Sequence, residues 1–220
     1  MRSIILGVLT AVAMSMAQQH PAHHDPGKVI KGSGKLPTGW EGRLDDAAAK
    51  LDAVVFMEDK STLTFTTGPA GIYYKPAMKG SGDYDVSGTF SQTKPSAHPE
   101  AYGLFIGGSD LDKDNQRYTY FLIRQDGKYL IKSRDGATTK PIVNWTTAAP
   151  MKDANVAKAG FKTSNELAVH VKGSKVLFLI GGTQVHELPR TQVSTEGIAG
   201  IRINHNLEVQ VTGFDVKKGS

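Results

Sequence analysis

Residues 118–133 read YTYFLIRQDGKYLIKS, with an Asp-Gly pair between two runs of aromatic and aliphatic residues. Such runs are typical of β-strands, and a two-residue Asp-Gly loop favours a type I′ turn because both central residues of that turn need a positive φ. This stretch therefore predicts an antiparallel hairpin that turns at Asp126-Gly127. In this register Arg124 would pair with Tyr129, and Leu122 would pair with Ile131.

Similar runs recur along the rest of the chain, and each is closed by glycine, proline or another turn residue. They lie at residues 63–66, 72–74, 84–90, 102–106, 167–171, 176–180, 185–188, 198–203 and 207–211. About a dozen strands without alternating helices predict an all-β protein with one antiparallel β-sandwich of jelly-roll type. The alternative is two smaller sandwiches divided near residues 150–162, but each half would have few strands with which to close its own core.

Three local features carry further structural predictions. Residues 176–180, VLFLI, are apolar at every position, which indicates a central strand covered on both sides. Gly213 interrupts the alternation of the last strand, and a bulge there would keep both Val211 and Phe214 on the inner side. The only helical candidate is the segment 45–52, whose Ala-rich centre would form about two turns.

The composition restricts the chemistry of the chain. Its 220 residues include no cysteine, which excludes disulfides, iron–sulfur clusters, thiolate zinc sites and a cysteine nucleophile. Apolar residues make up 39% of the chain, which is enough to form a core. The net charge of +5 is spread without a run of Lys or Arg, so it does not indicate a nucleic-acid partner. No cofactor is predicted.

The N-terminal segment has the layout of a secretory signal peptide. Arg2 precedes an apolar stretch at residues 4–13, and Ser15-Met16-Ala17 places small residues where signal peptidase cleaves. We therefore expect residues 1–17 to be removed and the mature protein to be periplasmic or secreted. A disordered polar leader (18–35), a single β-sandwich domain (36–217) and a short tail (218–220) would follow. No other segment approaches the length of a membrane span.

Several stretches of the sequence resemble a known group of exported domains. They are Gly39-Trp40, TGPAGIYY at 67–74, YGLFIGG at 102–108, YFLIRQDGKY at 120–129, IVNW at 142–145 and NELAV at 165–169. Over about residues 36 to 217 the chain resembles bacterial exported jelly-roll domains of the concanavalin A-like (laminin G-like) lectin/glucanase type. It is most similar to the 3-keto-disaccharide hydrolase-type family, long described as a domain of unknown function. The resemblance implies an extracytoplasmic location and a carbohydrate ligand, in some members with glycoside cleavage.

The sequence carries no clear pair of catalytic carboxylates. Glycoside hydrolysis usually needs two, and laminarinase-like members of this fold group carry them on alternate positions of one strand. Here Glu208 is followed two residues later by Gln210, so an amide stands where the second carboxylate should be. Glu166 shares a predicted strand face with His170. A hydrolase or lyase that uses His170 or His186 as its base is left open.

Alternate aspartates at Asp110, Asp112 and Asp114 suggest a calcium loop, which presents several oxygens to one ion. The pattern departs from the EF-hand, because Asn115 replaces the invariant glycine and Phe121 replaces the bidentate glutamate. A solvated loop between strands is therefore favoured, and no metal site is predicted.

Aromatic side chains on the hairpin are the favoured candidates for ligand binding, because sugars stack on aromatic rings and are oriented by a few polar groups. In the predicted register Tyr118, Tyr120 and Arg124 share one strand face, and Tyr129 joins them. Trp145 is a further candidate platform. The alternative is that this face belongs to the core. We predict an exported carbohydrate-associated binding module, with a glycoside-cleaving enzyme or a structural, partner-binding envelope protein as alternatives.

Overall fold

The computed structural model describes residues 28–151 and 163–219, which form fourteen β-strands and two short 3₁₀ turns. The strands are β1 (Glu41–Leu44), β2 (Val54–Asp59), β3 (Thr62–Thr67), β4 (Gly71–Gly80), β5 (Tyr84–Gln92), β6 (Ala101–Ser109), β7 (Arg117–Arg124), β8 (Lys128–Asp135), β9 (Thr138–Thr147), β10 (Thr163–Lys172), β11 (Lys175–Ile180), β12 (Thr183–Pro189), β13 (Gly197–Ile203) and β14 (Glu208–Lys218). The 3₁₀ turns are Leu51–Ala53 and Arg190–Gln192.

The strands pair into two antiparallel sheets of seven. The first sheet has the order β1-β4-β13-β6-β7-β8-β9, and the second has the order β12-β11-β10-β5-β14-β3-β2. Both sheets combine strands from before and after residues 152–162. The described strands therefore form one sandwich, which confirms the predicted all-β, antiparallel jelly-roll class.

The main core lies between the two sheets and follows the alternation of each strand. In β3, for example, Leu63, Phe65 and Thr67 are buried while the residues between them are half-buried. Rings from the two sheets meet in this layer, as where Phe121 of β7 and Phe178 of β11 approach edge to face with centroids 5.3 Å apart. Period-two patterning is thus converted into a dry interior, which supplies most of the driving force for folding.

The first sheet is also apolar on its outer face. A second cluster of buried side chains covers that face and consists of Ile72, Tyr74, Ala101, Phe105, Leu111, Tyr118, Tyr120, Leu122 and Leu130. Gly200 makes room for this cluster, because a Cβ at Gly200 would lie only 2.4 Å from the Phe105 ring. As a result β6 and β7 are buried on both faces, unlike strands of a sheet whose outer side faces water.

The register of the central hairpin differs from the prediction. Arg124 pairs with Lys128 and Ile123 pairs with Tyr129, so the loop has three residues and not two. The Gly127 N–H bonds to the Arg124 carbonyl oxygen at 3.1 Å, and Gly127 has a φ of +75°. This is the three-residue hairpin loop in which a left-handed glycine follows a type I turn.

Side-chain contacts of the loop explain this register. Gln125 is buried, and its amide bonds to Gln92 and to Ser96. The loop residue is thereby pulled into the structure instead of being left in a solvent-exposed two-residue turn. Because side chains alternate along a strand, the shift of one residue moves Tyr129 to the opposite face.

Three other local predictions have different outcomes. The bulge at Gly213 is confirmed, because the register of β14 shifts between Thr212 and Asp215 and Gly213 has a φ of +64°. The strand at 176–180 does lie between two neighbours, but Leu177 and Leu179 are only half-buried on its outer side, so full cover on both faces was wrong. The helix at 45–52 was also wrong.

The segment after β1 is irregular because its polar side chains bond elsewhere. The carboxylate of Asp45 is held by arginines of the first sheet, and that of Asp46 accepts a bond from the Ala48 N–H at 2.8 Å. Side-chain bonds of this kind compete with helix formation. The only helical hydrogen bonding nearby is the 3₁₀ turn Leu51–Ala53.

The predicted signal peptide and most of the leader lie outside the described residues. Of the leader, residues 28–35 lie against the sandwich: the Lys28 N–H donates to Asn206 Oδ1 at 2.7 Å, and the Gly32 N–H donates to the Asp52 carbonyl oxygen at 2.6 Å. Within residues 28–151 and 163–219, no helix is long and apolar enough to cross a membrane.

Candidate functional site

A cavity of about 410 Å³ opens on the outer face of the first sheet. It will be called the outer-face cavity. Its lining comes from β6, β7, β8, β9 and β13 and from the segments before β6 and after β1 and β13, and comprises Asp45, Pro99, Glu100, Ala101, Tyr120, Leu122, Arg124, Leu130, Lys132, Arg134, Thr139, Trp145, Arg202 and Asn204. Antiparallel pairing thus brings residues that are far apart in sequence to one place.

The floor of the cavity is apolar and belongs to the second cluster. Leu122 of β7 pairs directly with Leu130 of β8, and Tyr120 pairs with Lys132. Tyr120 is buried, and burial raises the pKa of its hydroxyl. The tyrosine is therefore a neutral ring and hydroxyl at physiological pH, and the ring supplies an apolar surface beside charged groups.

An ion pair between a buried arginine and a partly exposed aspartate forms one wall. Arg202 of β13 is only 6% exposed and grips Asp45 through two bonds, from Nη1 to Oδ1 at 3.1 Å and from Nη2 to Oδ2 at 2.5 Å. Nη1 also donates to the Tyr118 hydroxyl at 3.1 Å. The guanidinium lies 5.0 Å from the centroid of the Tyr120 ring, a cation–π contact. Bidentate pairing of this kind fixes both partners in orientation.

Asp45 is held as a carboxylate by its surroundings. Burial opposes its ionisation, but the hydrogen bonds and charge of Arg202 outweigh burial, and the charge of Arg134 adds to them, so the pKa of Asp45 is lowered. Arg134 Nη1 lies 3.2 Å from Asp45 Oδ1. One carboxylate thus serves two arginines, which leaves it saturated.

Two buried polar atoms of the lining have no hydrogen-bonding partner among the described residues. They are Nε of Arg202 and Oδ1 of Asn204. Buried polar atoms in folded proteins are nearly always paired, so these two atoms are unusual features of the cavity lining. The amide of Asn204 donates to Glu100 at 3.4 Å, and Glu100 also accepts from His205 Nε2 at 3.1 Å.

An exposed aromatic ring stands at the rim. Trp145 of β9 is 38% exposed. Within residues 28–151 and 163–219, every other Phe, Tyr or Trp side chain is buried or half-buried. The guanidinium of Arg124 lies over this ring, 4.1 Å from its centroid. Arg124 Nε is itself bonded to Asp126 at 2.7 Å. A ring that is both exposed and held in place is a suitable stacking platform for a ligand.

The predicted binding residues divide into three groups. Tyr120, Arg124 and Trp145 line the outer-face cavity. Tyr118 lies in the second apolar cluster, and its hydroxyl accepts a hydrogen bond from Arg202, but it is not part of the cavity lining. Tyr129 is on the other side of the sheet, in the main core, where its hydroxyl donates to the Val185 carbonyl oxygen at 3.0 Å. The prediction that Tyr129 shares their face was wrong, because the hairpin loop has three residues.

Five charged residues of the site were missed from the sequence. They are Asp45, Glu100, Lys132, Arg134 and Arg202. Lys132 and Arg134 could have been predicted. They occupy alternate positions with Leu130 on β8 and therefore share its face, and β8 belongs to the hairpin that was already a candidate for binding. Asp45 and Arg202 gave no such signal, since they come together only through the pairing of β1, β4 and β13.

The other catalytic candidates lie outside this cavity. His170 pairs with Asp85 across β10 and β5, on the second sheet. The carboxylate of Glu208 bonds to Lys94 Nζ at 2.8 Å. His186 packs beside Tyr129, and burial lowers its pKa. None of these three side chains lines the outer-face cavity, so none lies beside its carboxylates.

Two of the three aspartates of the suspected calcium loop, Asp110 and Asp114, form ion pairs with cationic side chains. Lys113 Nζ lies 2.8 Å from Asp110 Oδ1, and Arg43 Nη2 lies 2.8 Å from Asp114 Oδ1. Over the described part of the chain, no group of three or more His, Cys, Asp or Glu side chains is arranged to hold a metal ion.

Comparison with solved structures places this architecture among known folds. The chain is similar to the carbohydrate binding module CBM66 from Bacillus subtilis, with a TM-score of 0.58 and 12% identity over 82% of this chain and 96% of that chain. The chain has a concanavalin A-like β-sandwich fold. A Bacillus subtilis protein of unknown function with a galectin-like fold gives a TM-score of 0.58 at 13% identity, covering 81% of this chain and 89% of that chain.

A catalytic protein shares the same fold. The β-glucanase from Bacillus licheniformis matches with a TM-score of 0.52 and 10% identity, over 84% of this chain and 94% of that chain. No protein-family model matches the sequence, and no curated protein matches it. At these identities the likeness concerns the fold alone, and the function has to be argued from the site.

Proposed function

We propose that the protein is an exported carbohydrate-binding module whose ligand site is the outer-face cavity. One observation carries this proposal. The exposed Trp145 ring, which Arg124 contacts, lies beside an apolar floor and beside buried polar atoms that have no hydrogen-bonding partner among the described residues. Sugars are bound in this way, with C–H faces on aromatic rings and hydroxyl groups on a few fixed polar side chains.

The arrangement of charges supports binding over cleavage. A glycosidase needs an acid with a raised pKa and a second carboxylate as base or nucleophile. Of the two lining carboxylates, Asp45 has a lowered pKa and is saturated by Arg202 and Arg134, while Glu100 accepts from His205 and Asn204. Asp45 therefore does not have the environment of a proton donor to a leaving group, and Glu100 would have no second carboxylate free to assist it.

The wider family and the location are also part of the proposal. The solved structures of the same fold include one described as a carbohydrate binding module and one described as a β-glucanase. The resemblance of the sequence to the 3-keto-disaccharide hydrolase-type family, and its signal-like residues 1–17, agree with a carbohydrate ligand outside the cytoplasm. Glycoside cleavage then becomes an outcome that the test must be able to detect.

A glycan panel tests the proposal directly. The mature protein is incubated with polysaccharides, and both retention and release of new reducing ends are measured. We expect retention without release, and we expect Trp145→Ala to weaken retention roughly tenfold or more. Met57→Ala is the matched control, because Met57 is an exposed hydrophobic residue on the edge strand β2 of the other sheet.

Three results would contradict the proposal. New reducing ends in proportion to protein would show an enzyme. Equal retention by wild type, Trp145→Ala and Met57→Ala would show that the ligand does not use the outer-face cavity. Absence of binding and turnover across the whole panel would favour a structural or partner-binding role.

A further inference from the structure

We propose that the outer-face cavity selects acidic glycans and holds a sugar carboxylate at Lys132. The inference rests on the proposed function, since it assigns a ligand class to the same cavity. It does not follow from a sugar-binding role alone, because most features of such a site suit neutral sugars equally well.

The lining has more positive than negative charge. Four cationic side chains (Arg124, Lys132, Arg134 and Arg202) stand against two carboxylates (Asp45 and Glu100). Within a partly closed cavity the effective dielectric constant is lower than in water, so an uncompensated charge there has a stronger effect than on an open surface. Asp126, just outside the lining, offsets Arg124, so an excess of one cation is left, which favours an anionic occupant.

The pairing of each cation shows where that occupant would sit. Arg124 is bonded to Asp126, and Arg134 is bonded to Asp45, so both are already neutralised. Lys132 is half-buried, but its ammonium has no hydrogen bond or ion pair with any residue in the described part of the chain. It is the unsatisfied charge of the site.

Arg202 places a second positive charge next to Tyr120. Its two terminal nitrogens are used by Asp45 and Tyr118 and its Nε is buried, so it acts on a ligand through its charge and not through a hydrogen bond. Tyr120 pairs with Lys132 across β7 and β8 and also lies under the Arg202 guanidinium. Two cationic side chains thus neighbour one aromatic ring.

A uronic acid matches this arrangement. Its carboxylate would form charge-assisted hydrogen bonds with the Lys132 ammonium, which are stronger than bonds to a neutral hydroxyl. Its ring keeps the C–H face that stacks on an aromatic platform such as Trp145. A neutral sugar could satisfy the hydrogen bonds but would leave the Lys132 charge uncompensated.

The test compares matched pairs of ligands by isothermal titration calorimetry. Oligosaccharides of galacturonate, glucuronate, mannuronate and guluronate are each titrated beside their carboxyl-reduced counterparts, with a sulfated oligosaccharide as a further anion. We expect at least one uronate to bind tenfold or more tightly than its reduced form. Raising the salt concentration should weaken the uronate more than the reduced sugar.

Variants locate the effect. Lys132→Met should remove the preference, so that this variant binds the uronate and its reduced form with affinities within about twofold of each other. Lys140→Met is the matched control, since Lys140 is an exposed lysine of the adjacent strand β9 that does not line the cavity. This control should keep the full preference.

The outcomes separate this inference from the proposed function. If reduced sugars bind as tightly as uronates, and Trp145→Ala still abolishes binding, then the cavity binds glycans but the acidic selectivity is wrong. If the sulfated sugar binds more tightly than every uronate, the anion is not a carboxylate and the inference is also wrong. If no sugar binds, both proposals fail.

Discussion

Arg124 lies over the ring of Trp145 with its guanidinium carbon 4.1 Å from the ring centroid, and so joins the end of β7 to the outermost strand of the sheet. The arginine is itself fixed by Asp126 in the hairpin loop. The orientation of the exposed ring therefore depends on the hairpin loop Gln125-Asp126-Gly127, whose sequence by itself indicates only a turn.

Loss of this contact should weaken binding more than folding. Arg124→Ala frees the Trp145 ring and removes a cation–π contact that contributes about 0.5–1 kcal/mol at such a site. We expect glycan affinity to fall roughly threefold to tenfold, with little change in the melting temperature. Arg117→Ala is the control. Arg117 lies on β7, as Arg124 does, and the change removes an exposed ion pair with Asp135 of β8. Equal losses of affinity in both variants would contradict the role given to Arg124.

Removal of the Tyr120 ring should destabilise the fold. Tyr120 is buried in the second apolar cluster, so Tyr120→Ala leaves a cavity and should lower the free energy of unfolding by about 3–5 kcal/mol. Tyr120→Phe keeps the ring and should cost less than about 1.5 kcal/mol. Chemical denaturation of both variants measures the difference. A small loss for Tyr120→Ala would mean that this ring is a surface platform and not part of a cluster.

The Asp45–Arg202 pair should make stability dependent on acid pH. The pKa of Asp45 is lowered in the folded protein, so the stabilisation is complete above its unfolded value of about 4 and is lost as the pH falls through the lower folded value. We expect Asp45→Asn to remove this component of the acid transition, measured as melting temperature between pH 2 and pH 6. It should also lower stability at neutral pH, because Arg202 would remain buried without its counter-ion.

An exposed carboxylate serves as the control for that experiment. Asp135 is 70% exposed in its ion pair with Arg117, and Asp135→Asn should leave the acid transition almost unchanged. If Asp45→Asn and wild type lost stability in parallel as the pH fell, the acid transition would have to arise from other carboxylates.

Chelation should not affect the fold. Lys113 and Arg43 already form ion pairs with Asp110 and Asp114 of the 110–114 loop, and the described residues form no metal-ligand cluster. Melting curves with and without a calcium chelator should therefore coincide. A drop of several degrees that added calcium reverses would instead assign a site to Asp110, Asp112 and Asp114.

Export is predicted from residues 1–17 alone. Cleavage after Ala17 should give a mature chain that begins at Gln18 and is recovered from the periplasm or the medium. N-terminal sequencing of the exported pool checks this. Recovery of a chain beginning at Met1 from that pool would contradict it, and a variant with an Arg in the apolar stretch, such as Val8→Arg, should accumulate inside the cell.

The fold could be predicted because period-two alternation is a local property that survives in the structure. Leu63 and Phe65 face the core as their spacing indicates, and the bulge at Gly213 follows from one misplaced residue in an alternating run. The hairpin register could not be predicted in the same way. It depends on Gln125, whose side chain bonds to residues about thirty positions away, and no local pattern reports that contact.

The site was predictable only where it coincides with a strand pattern. Tyr120 and Arg124 are separated by an even number of positions on β7, so they share one face of the strand. Trp145 is easily noticed because tryptophan is a rare residue type. The charged wall is different, because Asp45 and Arg202 are separated by 157 positions and meet through strand pairing. A single sequence contains no record of that meeting.

Burial of both faces of the first sheet has a consequence for how this protein could change its ligand in evolution. Residues such as Tyr120, Leu122 and Leu130 touch the cavity and also pack the second apolar cluster, so substitutions there alter recognition and folding together. Lys132, Thr139 and Trp145 touch the cavity but are half-buried or exposed. New specificities should therefore arise by mutation at this rim, while the floor of the cavity diverges slowly.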